Sequence, residues 1–192
     1  ERERGDWRSI QLSGRGPPLM RVFGLAGWSG SGKTTMMERM LPEIIARHVS
    51  VSTIKHAHHR FDIDKPGKDS YRHREAGARE VMISSSQRWV LMHENRGDAE
   101  PDPDDLLARM SPVDLVIIEG FKSWPHPKLE IHRRGVGDGL LCARDSTIVA
   151  VASDHAVAGL DIPVLDLNDT SAIVDFMLDH MGLAAPAESG AA

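Results

Sequence analysis

From residue 21 to 26 the chain reads RVFGLA, an apolar run of strand length, and from Lys33 to about Arg47 it changes to the three-to-four spacing of an amphipathic helix. Pro42 stands inside that helix, where proline removes a ladder donor and kinks the axis. The alternation then continues. VSVSTIK (49–55) is a second strand rich in β-branched residues. A polar loop, HAHHRFDIDKPGK, leads into a short helix opened by Asp69 or Ser70 and carried by YRHREAGA. EVMISS and RWVLMHE are strand-like runs a few polar residues apart, the pattern of a hairpin or of neighbouring strands. DPDDLLARM opens with acidic residues suited to a helix N-terminus. DLVIIEG (114–120), KLEIHRR, STIVAVAS and IPVLDL read as strands, and NDTSAIVDFMLDHM as a closing helix capped by Asn168 or Asp169.

Continuous apolar strands alternating with helices predict an α/β fold with a mostly parallel sheet covered on both faces. The runs around 81–93 and 128–133 predict an antiparallel extension at one edge, with unpaired edge strands. Residues 1–19 are charged, rich in Gly and Pro and without periodicity, and 183–192 resemble them. The expected organisation is a flexible extension (1–19), one folded domain (20–182) and a tail.

Composition narrows the partners. The 192 residues carry a formal net charge of -5 and a pI near 6.1, so no general electrostatic pull draws the chain to nucleic acid or anionic lipid. An anion must be held by a local site. Cys142 is the only cysteine, which excludes an intrachain disulfide and a thiolate metal cage. No apolar run has the length of a membrane span. A cytoplasmic protein without nucleic-acid or membrane partners is the expectation.

That local site is legible between the first strand and the first helix. Gly27-Trp-Ser-Gly-Ser-Gly-Lys-Thr34 fits G-x-x-x-x-G-K-[ST]. Gly27, Gly30 and Gly32 allow positive φ and let backbone N–H groups, including those of Ser29 and Ser31, close around phosphate oxygens. The helix aims its positive end at the same place. Lys33 is expected to reach the β/γ-phosphates, the Thr34 hydroxyl to ligate Mg²⁺, and Thr35 to lie near the α-phosphate. The strand before and the helix after are what separate this loop from an accidental glycine-rich turn. A three-layer P-loop NTPase fold follows.

Such a loop needs an acidic partner on a neighbouring strand. In VDLVIIEGFK, Glu119 falls at the carboxyl end, where ligands of open α/β sheets bind. Asp114 falls at the other end and is expected to be a turn or cap residue. Gly120 would let backbone approach phosphate closely. The loop after the second strand gathers Lys55, His56, His58, His59, Asp62, Asp64, Lys65, Lys68, Asp69 and Ser70. Lys55 and His56 are placed at the nucleotide, and Lys68 and Asp69, in a Pro-Gly turn before a helix, at a second anion site. The position and length of the loop favour function over a plain polar surface. A metal site on its three histidines lacks supporting ligand spacing. Arg72, Arg74 and Arg79 are either phosphate clamps or, for at least two of them, a solvated helix face. Trp28 and Trp124 are half-exposed aromatics whose roles the sequence does not separate.

The base is less certain in the residues themselves. No N-K-x-D sequence is present; Ser153-Asp154 follows a strand, and Asp154 could accept from the N1 and N2 groups of guanine. A plain loop aspartate fits that position nearly as well, so the residues alone leave GTP and ATP open.

Three blocks, GLAGWSGSGKTT, TIKHAHHRFDIDKPGKDSYRHREAGA and DLVIIEGFK, together with PVLDLND, resemble the MobB-type proteins of molybdenum cofactor biosynthesis over nearly all of 20–180. The resemblance implies a P-loop GTP-binding protein of the SIMIBI-like class, usually a homodimer. It implies an adaptor for the guanylyltransferase MobA, which makes molybdopterin guanine dinucleotide, with contact to molybdopterin or the finished dinucleotide and at most slow GTP hydrolysis. Carried over by position, Gly27–Thr35 is the phosphate loop and Glu119 the magnesium-side acid. No glutamine announces itself as a water-orienting residue, which fits a weak hydrolase. A small-molecule kinase, a nickel-type metallochaperone GTPase and a partner protein with a vestigial loop are the alternatives.

Overall fold

The computed structural model describes residues 20–57 and 61–184. In chain order the elements are β1 (Arg21–Ala26), α1 (Lys33–Ala46), β2 (Val51–Lys55), α2 (Asp69–Glu75), β3 (Glu80–Ser84), β4 (Trp89–His93), α3 (Pro103–Leu107), β5 (Leu115–Glu119), β6 (Lys128–His132), β7 (Ile148–Ser153), β8 (Val164–Asp166) and α4 (Thr170–His180). Every strand and helix expected from the pattern is present. The chain forms two compact units, Ala57–Leu107 being one and the segments on either side of it the other.

The larger unit is built on a six-stranded sheet in the order β2-β5-β1-β6-β7-β8, all pairs parallel. Register fixes which side chains share a face. Phe23 pairs with Ile117, Leu25 with Leu129, and Leu129 with Ala150. These residues form one core with Met36, Met40 and Ile44 of α1 and Ile173, Val174 and Met177 of α4. Residues of the opposite parity, Val22, Val116, Ile118 and Val151, are also buried, so both faces of the sheet are covered. Met40 is fully buried; truncating it to Ala costs roughly 2–5 kcal/mol. α1 runs unbroken past Pro42, with buried residues on both sides of it at helical spacing. Packing of that apolar stripe holds the axis together where the proline removes a hydrogen bond.

One expectation is corrected. The run 128–133 is no antiparallel edge: β6 is an internal parallel strand between β1 and β7. Lys128 and Glu130, which alternate along the strand, are both buried and partnered. Lys128 Nζ donates to the Trp124 carbonyl at 2.9 Å and to Thr147 Oγ1 at 2.6 Å, and its ammonium stands 3.5 Å from Asp145. Glu130 accepts from the backbone N–H groups of Leu141 and Cys142 at 2.7 and 2.9 Å. Buried charges survive when each is paired. The antiparallel strands are β3 and β4, which pair with each other in a separate two-stranded sheet of the smaller unit.

Candidate nucleotide site

β1 ends at Ala26 and α1 begins at Lys33, leaving six residues to turn the chain. Gly27, Gly30 and Gly32 have φ of 146°, 80° and 95°. Gly27 is required twice over, since a Cβ there would stand 2.5 Å from Ser31 Oγ and 2.7 Å from the Ile131 carbonyl. Ser31 N–H closes the turn on the Trp28 carbonyl at 3.1 Å. Gly32 is the N-cap of α1 and supplies no capping side chain, and the first turn holds no acidic residue. α4 differs, because Asp169 accepts from Ala172 N–H at 2.9 Å. The first-turn donors of α1 therefore lack the side-chain acceptor that α4 has, at the positive end of a 14-residue helix.

Lys33 folds back over the loop. Its ammonium donates to the Gly27 and Trp28 carbonyls, each at 3.0 Å. Burial holds its pKa below the ordinary lysine value, Glu119 opposes that shift, and Lys122 and Lys55 add to it. The ammonium groups of Lys33, Lys55 and Lys122 thus act on one region together with the Glu119 carboxylate. Thr34 and Thr35, on the first turn, are exposed, as is Ser29.

Glu119 is the last residue of β5. It pairs with Leu25 of β1 on one side and Lys55 of β2 on the other, which places it on the sheet face that α1 covers. Its carboxylate is 3.7 Å from the Lys55 ammonium. Its carbonyl accepts from His56 N–H at 2.8 Å. Gly120, with φ of 110°, is approached by His56: a Cβ there would stand 2.4 Å from the His56 Cβ. Its glycine character serves that packing. The His56 ring stacks on Phe121, centroids 4.3 Å apart. Asp114, at the opposite end of β5, accepts from Ser50 N–H at 2.8 Å and from the Ser50 hydroxyl, as expected of a structural residue. These bonds hold its carboxyl below the usual range.

On the other side of β1, the ends of β6 and β7 bring Arg133 and Asp154 to the loop. Arg133 Nε donates to the Ser31 carbonyl at 3.1 Å, and its Nη1 is 3.9 Å from Asp154. Asp154 accepts from Arg134 N–H at 3.1 Å and from His155 Nδ1 at 2.8 Å. The His155 bond, then that of Arg134, lowers its pKa. Trp28 leaves the loop to donate to the Gly139 carbonyl at 2.8 Å. Its indole fills the space beside Gly137, where a Cβ would stand 2.1 Å away.

Lys68 and Asp69 lie in the smaller unit, as the N-cap and first residue of α2. Arg74 there donates to Asp62 and Asp64 at 2.8 and 2.9 Å and pairs with Glu94 at 3.4 Å, and Arg79 pairs with Asp98. These two arginines spend their guanidinium groups on carboxylates. His58 and His59 lie outside the described residues.

This phosphate-loop geometry, with an acid at the end of the adjacent strand, now has a specific counterpart. Residues 22–154 match the family described as molybdopterin guanine dinucleotide synthesis protein B, MobB. The chain belongs to the MobB family. It is 40% identical over 171 residues to the molybdopterin-guanine dinucleotide biosynthesis adapter protein of Escherichia coli K12, spanning 86% of this chain and 96% of that one. The corresponding adapter protein of Haemophilus influenzae is 42% identical over 159 residues, 81% and 86% of the two chains. A MobB crystal structure superposes with a TM-score of 0.67 at 26% identity, covering 84% of this chain and 99% of the other. Bacillus subtilis MobB, at 21% identity and a TM-score of 0.60, shares the fold.

Within this MobB chain every candidate site residue lies inside the matched span. Arg133 was not legible as a site residue, because its contact with Ser31 is made 102 positions away and IHRR reads as an ordinary strand end. The glycine run RGVGDG carried a signal for Trp28 only in that so many small residues must accommodate something large.

Proposed function

We propose that this MobB protein binds GTP with Mg²⁺ and acts as an adaptor in the synthesis of molybdopterin guanine dinucleotide, assisting the guanylyltransferase MobA and hydrolysing GTP slowly at most. The observation that carries the reading is α1, which lacks a side-chain cap and follows a left-handed glycine, with Glu119 on the same face of the sheet. Backbone N–H groups of 29–35 would hold the phosphates, with Lys33 turning from loop carbonyls to phosphate oxygens. The donor set of a hydroxyl and a carboxylate suits a hard cation, so Thr34 and Glu119 would hold Mg²⁺, which neutralises charge on the phosphates. Asp154, on the opposite flank of the loop from Glu119, would take the guanine N1 and N2 hydrogens. Lys55 and His56 would border the phosphates, and Lys68 and Asp69 would serve a second anionic ligand such as molybdopterin.

Self-association belongs to the same reading. On one face of the β3–β4 hairpin Met82 pairs with Leu91, next to Trp89, and all three are exposed. An apolar hairpin face with open strand edges suits a second copy of the chain. The test of the function is calorimetric titration of GTP and ATP, each with Mg²⁺, followed by capture of MobA. Preference for GTP and retention of MobA are expected; preference for ATP would return the small-molecule kinase to first place.

A further inference from the structure

Arg133 is fastened to the phosphate loop by only one of its donors. Nε holds the Ser31 carbonyl, and the guanidinium lies over Gly32, where a Cβ would come 3.2 Å from Nε and 3.5 Å from Nη2. Glycine at 32 thus serves the approach of this side chain as well as the positive φ of the N-cap. The carboxylate within reach, Asp154, is 3.9 Å away and is bonded instead to Arg134 N–H and His155. Both side chains of this long pair are partly open to solvent, so it neutralises the guanidinium weakly. A planar fork anchored on one edge, with its Nη groups at the uncapped start of α1, is arranged for an anion that arrives at that helix end.

We propose that Arg133 is a nucleotide-contacting residue whose Nη groups bind the polyphosphate while Nε fixes the loop. This rests on the reading of Gly27–Thr35 as the nucleotide site. Asp154 keeps its backbone and His155 partners without the arginine, so discrimination of the base is independent of it.

The experiment is calorimetric titration of GTP, ITP and inorganic tripolyphosphate, each with Mg²⁺, into the wild-type chain and Arg133→Gln, with melting temperatures measured alongside. Loss of a charge-assisted contact predicts roughly ten- to hundredfold weaker binding of both GTP and tripolyphosphate. The GTP-to-ITP ratio is expected to stay at the wild-type value, and the melting temperature within about 3 °C, the shift typical of a surface substitution. Arg133→Gln binding GTP within about twofold of wild type (well short of the lost contact) would overturn the proposal. So would a collapsed GTP-to-ITP ratio with tripolyphosphate affinity intact, which would mean that the arginine acts through Asp154. A wild-type chain that binds neither GTP nor tripolyphosphate would overturn the nucleotide site itself and the arginine's role with it. Should Arg133→Gln fail to fold, Arg133→Lys is read the same way, with a smaller loss because the charge remains.

Discussion

Glu119 and Lys55 face each other across the β2–β5 ladder, carboxylate to ammonium 3.7 Å, at the end of the sheet where the phosphate loop turns. The lysine side chain is 63% exposed and the glutamate 16%, so the lysine can swing out while the acid stays. A divalent cation would then replace one positive charge on Glu119 with two. Glu119→Ala is expected to weaken GTP binding about tenfold or more in Mg²⁺ and far less in EDTA, since the interaction removed belongs to the metal. Titrations in both conditions check this. Equal losses would place Glu119 among structural residues.

Lys33→Ala removes the ammonium that the loop carbonyls of Gly27 and Trp28 now hold. The truncation also removes the cost of holding that ammonium partly buried, which offsets the lost bonds, so its melting temperature is expected within about 4 °C of wild type. GTP affinity is expected to fall at least about a hundredfold, two charge-assisted bonds being lost. Tight binding by a folded Lys33→Ala protein would remove the phosphate role from this lysine.

Asp114 provides the contrast, since it begins the strand that Glu119 ends. Its bonds to Ser50 tie the start of β5 to the start of β2. Asp114→Ala is expected to cost about 1–2 kcal/mol in urea unfolding and to leave GTP affinity unchanged, the reverse of Glu119→Ala. The folded-state pKa of Asp114 is depressed, so its contribution is present above the ordinary aspartate pKa and is lost as pH falls through the lower folded value.

The elements of this fold were legible because their signals are local. RVFGLA and the glycine loop identify β1 and its turn, and Glu119 was picked from Asp114 by direction along one strand. What the sequence concealed depends on pairing at long range. Lys128 and Glu130 imitate a solvated edge because a charge looks the same whether water or Thr147, Asp145, Leu141 and Cys142 satisfy it. Arg133 was hidden for the same reason, while the nearer arginines 74 and 79, which looked better placed, are paired with carboxylates of their own unit. Gly120 was recognised as a close approach, but the neighbour is a histidine side chain.

The hairpin face yields a prediction about assembly. Trp89 and Met82 stand 64% and 62% exposed, a large apolar surface for an antiparallel pair. On the proposed self-association through this face, Trp89→Lys is expected to lower the sedimentation coefficient from that of a dimer to that of a monomer at micromolar concentration, with the fold of the parallel sheet and GTP affinity retained. An unchanged sedimentation coefficient would move self-association away from β3–β4.

His126 makes the acid stability of the fold testable. It is buried beside Gly24 and Lys128, with Nδ1 donating to the Trp124 carbonyl at 2.8 Å, and burial followed by the Lys128 charge pushes its pKa down to about 4. Asp145, which pairs with Lys128, acts in the other direction but does not offset them. In the unfolded chain the imidazole titrates at its ordinary value near 6.5. Between those two values the unfolded chain holds the proton and the folded one does not, so stability falls as pH falls through that window. From pH 7 to pH 5 the loss assignable to His126 is about 2 kcal/mol. His126→Asn keeps a donor for the Trp124 carbonyl without a titrating ring, and its urea midpoint is expected to change less than that of wild type over the same pH range. Parallel pH profiles for the two proteins would mean that the imidazole takes up its proton in the fold at the same pH as in the unfolded chain, with Asp145 offsetting burial and the Lys128 charge.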